Sequence, residues 1–226
     1  MGEPVLDRRV FISGFLAAGT AGLTGCGSGG GPRKVAEGAL LLADGSPNPV
    51  ELMKAGPLGD KILGNPSAPV TIIEYASLTC PHCHRFHLTT YPRVKKELID
   101  TGKVRYIIRE FPIGRTAAAA AVVTRCAPDK DYITLYDKFL TQQSKWTSQD
   151  VRPDAIYKIA AQTGMSRATF DSCMANQEIN EGLVWVKQRA RDFGVSGTPT
   201  FFINGKKARG ALTFDQIKAM VGPGTS

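Results

Sequence analysis

Two runs of β-branched and aromatic residues, Val70 to Ala76 and Val104 to Phe111, flank a stretch in which Phe86, Val94 and Leu98 recur at roughly helical spacing. Strand, helix and strand in that order imply a parallel pair joined by a right-handed crossover. Pro81 favours the first helical position, so the spacing predicts a helix from Pro81 to about Asp100. From Arg115 to about Phe193 the pattern stays helical, over 117–126, 132–140, 155–161, 168–174 and 179–193, and no strand signal interrupts it. Thr200 to Ile203 restores β character, Asn204-Gly205 reads as a two-residue hairpin turn, and Lys206 to Ala211 returns antiparallel. Phe214 to Val221 is amphipathic and is expected to close the domain as a helix.

The residues with the most chemistry stand where the first strand gives way to the helix. Cys80-Pro81-His82-Cys83 places two thiols at a spacing that closes a small disulfide, and a helix N-terminus stabilises the thiolate left when it opens. With His84 the same residues spell Cys-x-x-Cys-His, the attachment pattern of c-type haem, so on the motif alone both functions stand. Glu74 shares a strand face with Val70 and Ile72. If that face is the core, burial raises the pKa of its carboxyl and equips it to carry the proton of Cys83. His84 and His87 lie on the same helix, whereas structural zinc draws ligands from two separated arms. They are read as exposed polar residues around the site, and no metal is assigned.

A chain of 226 residues can bury one sizeable core. Residues 1–25 read apart from it, since Arg8 and Arg9 precede a modestly apolar stretch, Val10 to Leu23, that is too short to cross a bilayer and has the form of a signal peptide. Arg8-Arg9-Val10-Phe11-Ile12 resembles a twin-arginine export signal. Leu23-Thr24-Gly25-Cys26 resembles a bacterial lipobox, which implies acylation of Cys26 and a membrane anchor. Residues 26–57 are then expected to be a flexible linker, Gly27 to Pro32 most plainly so.

Setting Cys26 aside leaves four of the five cysteines. In an exported protein the close pair, Cys80 and Cys83, should bond internally, leaving Cys126 with Cys173. That second bond would close a loop of about 48 residues and contribute roughly 4 kcal/mol on the chain-entropy model. The net charge of +8 is spread along the chain without a dense basic block, which reads as a solvated surface and not as a nucleic-acid interface.

Three features taken together, Glu74 six residues before the first cysteine, Cys80-Pro81-His82-Cys83, and Gly197-Thr198-Pro199-Thr200-Phe201-Phe202 leading into Asn204-Gly205, resemble the DsbA-like thiol:disulfide oxidoreductases. The resemblance covers about residues 58–221. It implies an α/β thioredoxin-like fold with an inserted helical domain: a first half at 58–114, the insertion at 115–193 and a second half at 194–226. It also implies roles. Cys80 is the nucleophile, Cys83 resolves the mixed disulfide, and His82 is a polar or cationic neighbour that lowers the Cys80 pKa. Pro199 follows a cis peptide, and the backbone of Thr198 pairs with an extended substrate. The bond between Cys126 and Cys173, expected from the cysteine count, is read as structural.

The implied activity is that of a dithiol oxidase of the bacterial cell envelope, inserting disulfides into reduced exported proteins. It needs no cofactor and is reoxidised by a DsbB-like membrane partner. The protein is expected to be a lipid-anchored, periplasm-facing monomer. A disulfide oxidises strongly when its dithiol form is stabilised, and a stabilised Cys80 thiolate supplies that bias. Thr198 stands where the best-known dithiol oxidase has valine, while threonine is common in isomerases and reductases of the superfamily, so an isomerase or reductase is the nearest alternative. The stretch before the core is too short and flexible for the separate dimerisation domain of the well-known dimeric isomerases. A c-type haem protein and a non-catalytic binding module are the alternatives from other classes. Pro81 and the hairpin half speak against the first, the two active-site cysteines against the second.

Overall fold

The computed structural model of the chain describes residues 38–222. The signal peptide expected at 1–25, acylated Cys26 and the first part of the expected linker lie outside the described residues. Five strands, β1 (Lys61–Leu63), β2 (Val70–Ala76), β3 (Val104–Glu110), β4 (Thr200–Ile203) and β5 (Lys206–Arg209), form one sheet in the order β1-β3-β2-β4-β5. β2 runs parallel to β3 and antiparallel to β4, and β1 and β5 pair antiparallel at the two edges. The architecture is the thioredoxin-like α/β fold with a helical insertion.

β2 lies at the centre of the sheet, so its alternating side chains enter two different cores. Val70, Ile72 and Ala76 join the larger one, with Cys83, Phe86 and Tyr106. Ile73 and Tyr75 join the smaller one, with Phe111, Val186, Phe193 and Phe202. Glu74 falls between Ile72 and Ala76 and therefore points its carboxyl into the larger core.

The crossover helix is interrupted. α2 (Pro81–Thr89) stops at Thr90, α3 (Tyr91–Val94) follows, and Lys95–Ile99 form a π turn. Pro92 explains the break that the apolar spacing concealed, because it has no N–H to donate and its ring collides with the carbonyl one turn earlier. The insertion comprises α4 (Gly114–Cys126), α5 (Asp129–Thr141), α6 (Gln143–Trp146), α7 (Pro153–Ala160), α8 (Arg167–Met174) and α9 (Gln177–Asp192). Only α6 had no counterpart in the sequence reading. It is fixed by Trp146, which is fully buried and donates from Nε1 to Phe139 O at 2.8 Å. Cys126 of α4 and Cys173 of α8 are bonded, with their Cα atoms 5.8 Å apart.

After the insertion Asn204 (φ 46°) and Gly205 (φ 80°) turn the β4–β5 hairpin, and α10 (Phe214–Val221) begins with a Thr213–Gln216 capping box.

The expectation of a flexible linker is corrected for residues 38–57. They contain α1 (Pro49–Met53), capped by Asn48, and Leu52 is buried in the smaller core. Arg109 and Arg189, from distant elements, hold the segment, and Arg125 fastens the residues just after it. Arg109 donates to Leu52 O (2.7 Å), Lys54 O (3.2 Å) and Asp60, while Arg125 donates to Leu58 O (3.2 Å) and Gly59 O (3.0 Å). Arg189 pairs with Glu51. The segment reads as linker because it is rich in Gly, Pro and Ala, yet its backbone carbonyls are partners for a buried guanidinium.

Candidate active site

Cys80 is the N-cap of α2, and its extended backbone (φ −77°, ψ 123°) turns the sulfur to the free amides of the first helical turn. The Cys83 thiol donates to the Cys80 sulfur and is the largest of the influences that bring its pKa down to about 5. The Thr198 side chain and the backbone N–H groups of Cys83 and His82 act in the same direction, and only burial, which leaves Cys80 8% exposed, opposes them. Cys80 Sγ also lies 3.2 Å from Thr198 O, a contact that a thiol makes as donor and a thiolate gives up. Thr198 Oγ1 is buried and has no other hydrogen-bond partner, so its hydroxyl is free to serve the anion. The Thr198–Pro199 peptide is cis.

Cys83 is only 1% exposed. Desolvation pushes its pKa far up, and the bond to Cys80 and the nearby Glu74 charge add to the effect. Two sulfurs three residues apart thus differ sharply: one is at ease as an anion and the other must be protonated. Glu74 is the group placed to supply that proton. It is 2% exposed and accepts from Tyr106 Oη at 2.7 Å. Burial raises its pKa to about 7, against the opposing effects of the Tyr106 bond and His87.

The histidines depart from expectation. His82 Nδ1 accepts from Arg85 Nη2 at 2.5 Å, so its ring serves the guanidinium, and what reaches Cys80 is the His82 backbone N–H. His84 donates from Nδ1 to Leu140 O at 2.6 Å. His87, read as exposed, is 6% exposed, pairs with Asp137 at 2.6 Å and stacks on Tyr91 with ring centroids 4.5 Å apart. α5 packs over this face of α2 and covers it, which one helix's periodicity could not reveal. Cys83, 1% exposed and packed in the larger core, speaks against the haem reading. Among the described residues no group of three or more His, Cys, Asp and Glu side chains is arranged to hold a metal ion.

Two contacts had no sequence signal. Tyr106 was visible only as a strand residue, yet in the parallel register it stands opposite Ile72 and reaches Glu74. Gln143 of α6 donates to Leu78 O (2.7 Å) and Cys80 O (3.0 Å), either side of Thr79. By contrast Cys80, Cys83, Glu74, Thr198 and Pro199, all marked in the sequence, converge on one place through β2, α2 and the loop before β4.

Glu74→Gln tests the carboxyl. Opening of the Cys80–Cys83 disulfide slows about tenfold or more at neutral pH, and the rate loses its dependence on a group titrating near pH 7. Stability supplies a second reading. With a pKa of about 7 against the ordinary 4.5, the native protein binds a proton that the unfolded chain releases, so wild-type stability declines as pH rises through that window. The variant lacks that decline. Unchanged stopped-flow rates across the pH range would remove Glu74 from the chemistry.

Known proteins are similar to this chain. The family described as Thioredoxin matches residues 58–222. A Rickettsia conorii protein provisionally named protein-disulfide oxidoreductase is 35% identical over 166 residues, covering 72% of this chain and 59% of its own length. The chain therefore spans about three fifths of that relative. A Bacillus cereus protein provisionally named disulfide bond formation protein D is 30% identical, with 70% of this chain and 76% of the relative covered. The crystal structure of Wolbachia pipientis alpha-DsbA1 superposes with a TM-score of 0.69 at 30% identity, covering 77% of this chain and 94% of the other.

Proposed function

This chain belongs to the DsbA-like thiol:disulfide oxidoreductases of the thioredoxin fold, and on that premise we propose that it is a dithiol oxidase of the bacterial cell envelope. The observation that carries the reading is the inequality of the two sulfurs, Cys80 with a pKa of about 5 beside a buried Cys83 pushed the other way. A thiolate so stabilised favours the dithiol over the disulfide and makes the disulfide form an oxidant.

The cycle starts from the Cys80–Cys83 disulfide. A substrate thiolate attacks Cys80 Sγ, the Cys80–Cys83 bond breaks, and Cys83 leaves as an anion that takes a proton from Glu74. The second substrate thiolate then attacks the substrate sulfur of the mixed disulfide and expels Cys80 as a thiolate. Two electrons pass from substrate to enzyme, and of the two protons that the substrate thiols lose, one restores Glu74 and the other goes to solvent. The Thr198 backbone, beside Cys80, pairs with the extended substrate during the exchange.

Substrates are reduced exported proteins, and a DsbB-like membrane partner removes the electrons. No cofactor takes part. The segment through Cys26 supports export and a lipid anchor on the membrane, facing the periplasm, with the enzyme working as a monomer. Thr198 keeps an isomerase or reductase as the second reading.

Equilibration of the protein with glutathione buffers at pH 7 tests the proposal. A pair more oxidising than glutathione is expected, and a strongly reducing, thioredoxin-like pair would overturn it in favour of the reductase.

A further inference from the structure

We propose that Gln143 is a positioning residue for the Cys80 nucleophile, its side-chain amide bridging the carbonyls of Leu78 and Cys80 and so fixing the turn that presents the sulfur to the helix amides. The inference rests on Cys80 being the attacking sulfur.

The turn is short and polar. Cys80 N donates to Ser77 O (3.0 Å), Ile113 N donates to Ser77 Oγ (3.2 Å), and Cys80 O accepts from His84 N (3.0 Å) as the first bond of α2. Gln143 Nε2 adds 2.7 Å and 3.0 Å bonds to Leu78 O and Cys80 O from the far side, out of the helical insertion. It is the amide of a short helix that is itself immobilised. Trp146 is buried beneath α6, and Thr147 Oγ1 donates back to Gln143 O at 2.7 Å.

The electrostatic sense of these bonds follows from their direction. Carbonyl dipoles in the turn that carries a thiolate oppose its charge, and an amide NH2 donated to two of them offsets that opposition. The effect is larger for the anion than for the thiol, so Gln143 favours the ionised Cys80. The adjacent Gln142 faces elsewhere, its amide paired with Gln162 at 2.8 Å and 3.2 Å, which makes it an internal control on the same segment.

The test compares Gln143→Ala, Gln143→Glu and Gln142→Ala with the wild type, following the thiolate by ultraviolet absorbance and the redox pair by glutathione equilibrium. Gln143→Ala is expected to raise the Cys80 pKa by about half to one pH unit and to make the pair about three- to tenfold less oxidising. Gln143→Glu keeps the length, replaces the donor with acceptors, and shifts both quantities further in the same direction. Gln142→Ala leaves both unchanged. A purely structural role would lower thermal stability alone, so variants at Gln143 that titrate like a low-titrating wild type overturn this inference and spare the nucleophile. A wild type that titrates like an ordinary thiol overturns both.

Discussion

Cys80→Ser protein exchanges no disulfides, whereas Cys83→Ser protein attacks a disulfide once and stays joined to it. The two outcomes follow from the different surroundings of the sulfurs. With a pKa of about 5, Cys80 is about 99% thiolate at pH 7 and stands at the N-terminus of α2, close to the Thr198 backbone. Cys83 is buried and protonated, so it acts only when Cys80 has formed an adduct beside it. Without Cys83 the adduct has no internal route to resolution. Incubation with glutathione disulfide or an oxidised peptide, followed by mass spectrometry under non-reducing conditions, reads the result directly. A stable adduct on Cys83→Ser is expected, and an adduct on Cys80→Ser instead would reverse the assigned roles.

The largest loss of stability is expected from Arg125→Met. Its guanidinium faces Glu110 with two bonds, Nε to Oε1 at 2.5 Å and Nη2 to Oε2 at 2.6 Å, and the side chains are only 2% and 3% exposed. Tyr132 Oη also donates to Glu110 Oε1 at 2.8 Å. Removing Arg125 leaves a buried carboxylate with a tyrosine as its remaining support, and it releases the carbonyls of Leu58 and Gly59 that fasten the N-terminal segment. Such a loss costs about 4 kcal/mol and lowers Tm by about 10 °C in a domain of this size. Arg125→Met combined with Glu110→Leu regains most of it, because the uncompensated charge is then gone. Calorimetry of the two variants decides the matter. A double variant no better than the single would mean that the lost carbonyl bonds, and not the orphaned carboxylate, dominate.

Most of the fold was legible because it is written in local patterns. The alternation in Val70 to Ala76, Pro81 at the helix start and Asn204-Gly205 at the hairpin each act within a few residues, and the observed strands, turn and closing helix sit where those patterns place them. The helix break at Pro92 shows the limit of periodicity: apolar spacing reports which face is buried and is blind to a missing N–H. The stretch from 38 to 57 shows another. Its Gly, Pro and Ala content reads as linker, yet the guanidinium group of Arg109 supplies partners for the Leu52 and Lys54 carbonyls that composition does not register.

The sequence by itself determined the order of the elements, the junction of strand and helix that carries Cys80-Pro81-His82-Cys83, and the face of β2 that Glu74 shares with Val70 and Ile72. Tertiary structure alone decided how the site works. It buried Cys83 and left Cys80 at the helix mouth, gave Tyr106 to Glu74, withdrew His87 beneath α5, and brought Gln143 from the insertion to the carbonyls beside the nucleophile. Periodicity and turn chemistry are properties of neighbours along the chain, whereas desolvation and hydrogen-bond partners depend on residues that meet only when the sheet and the insertion close around one another.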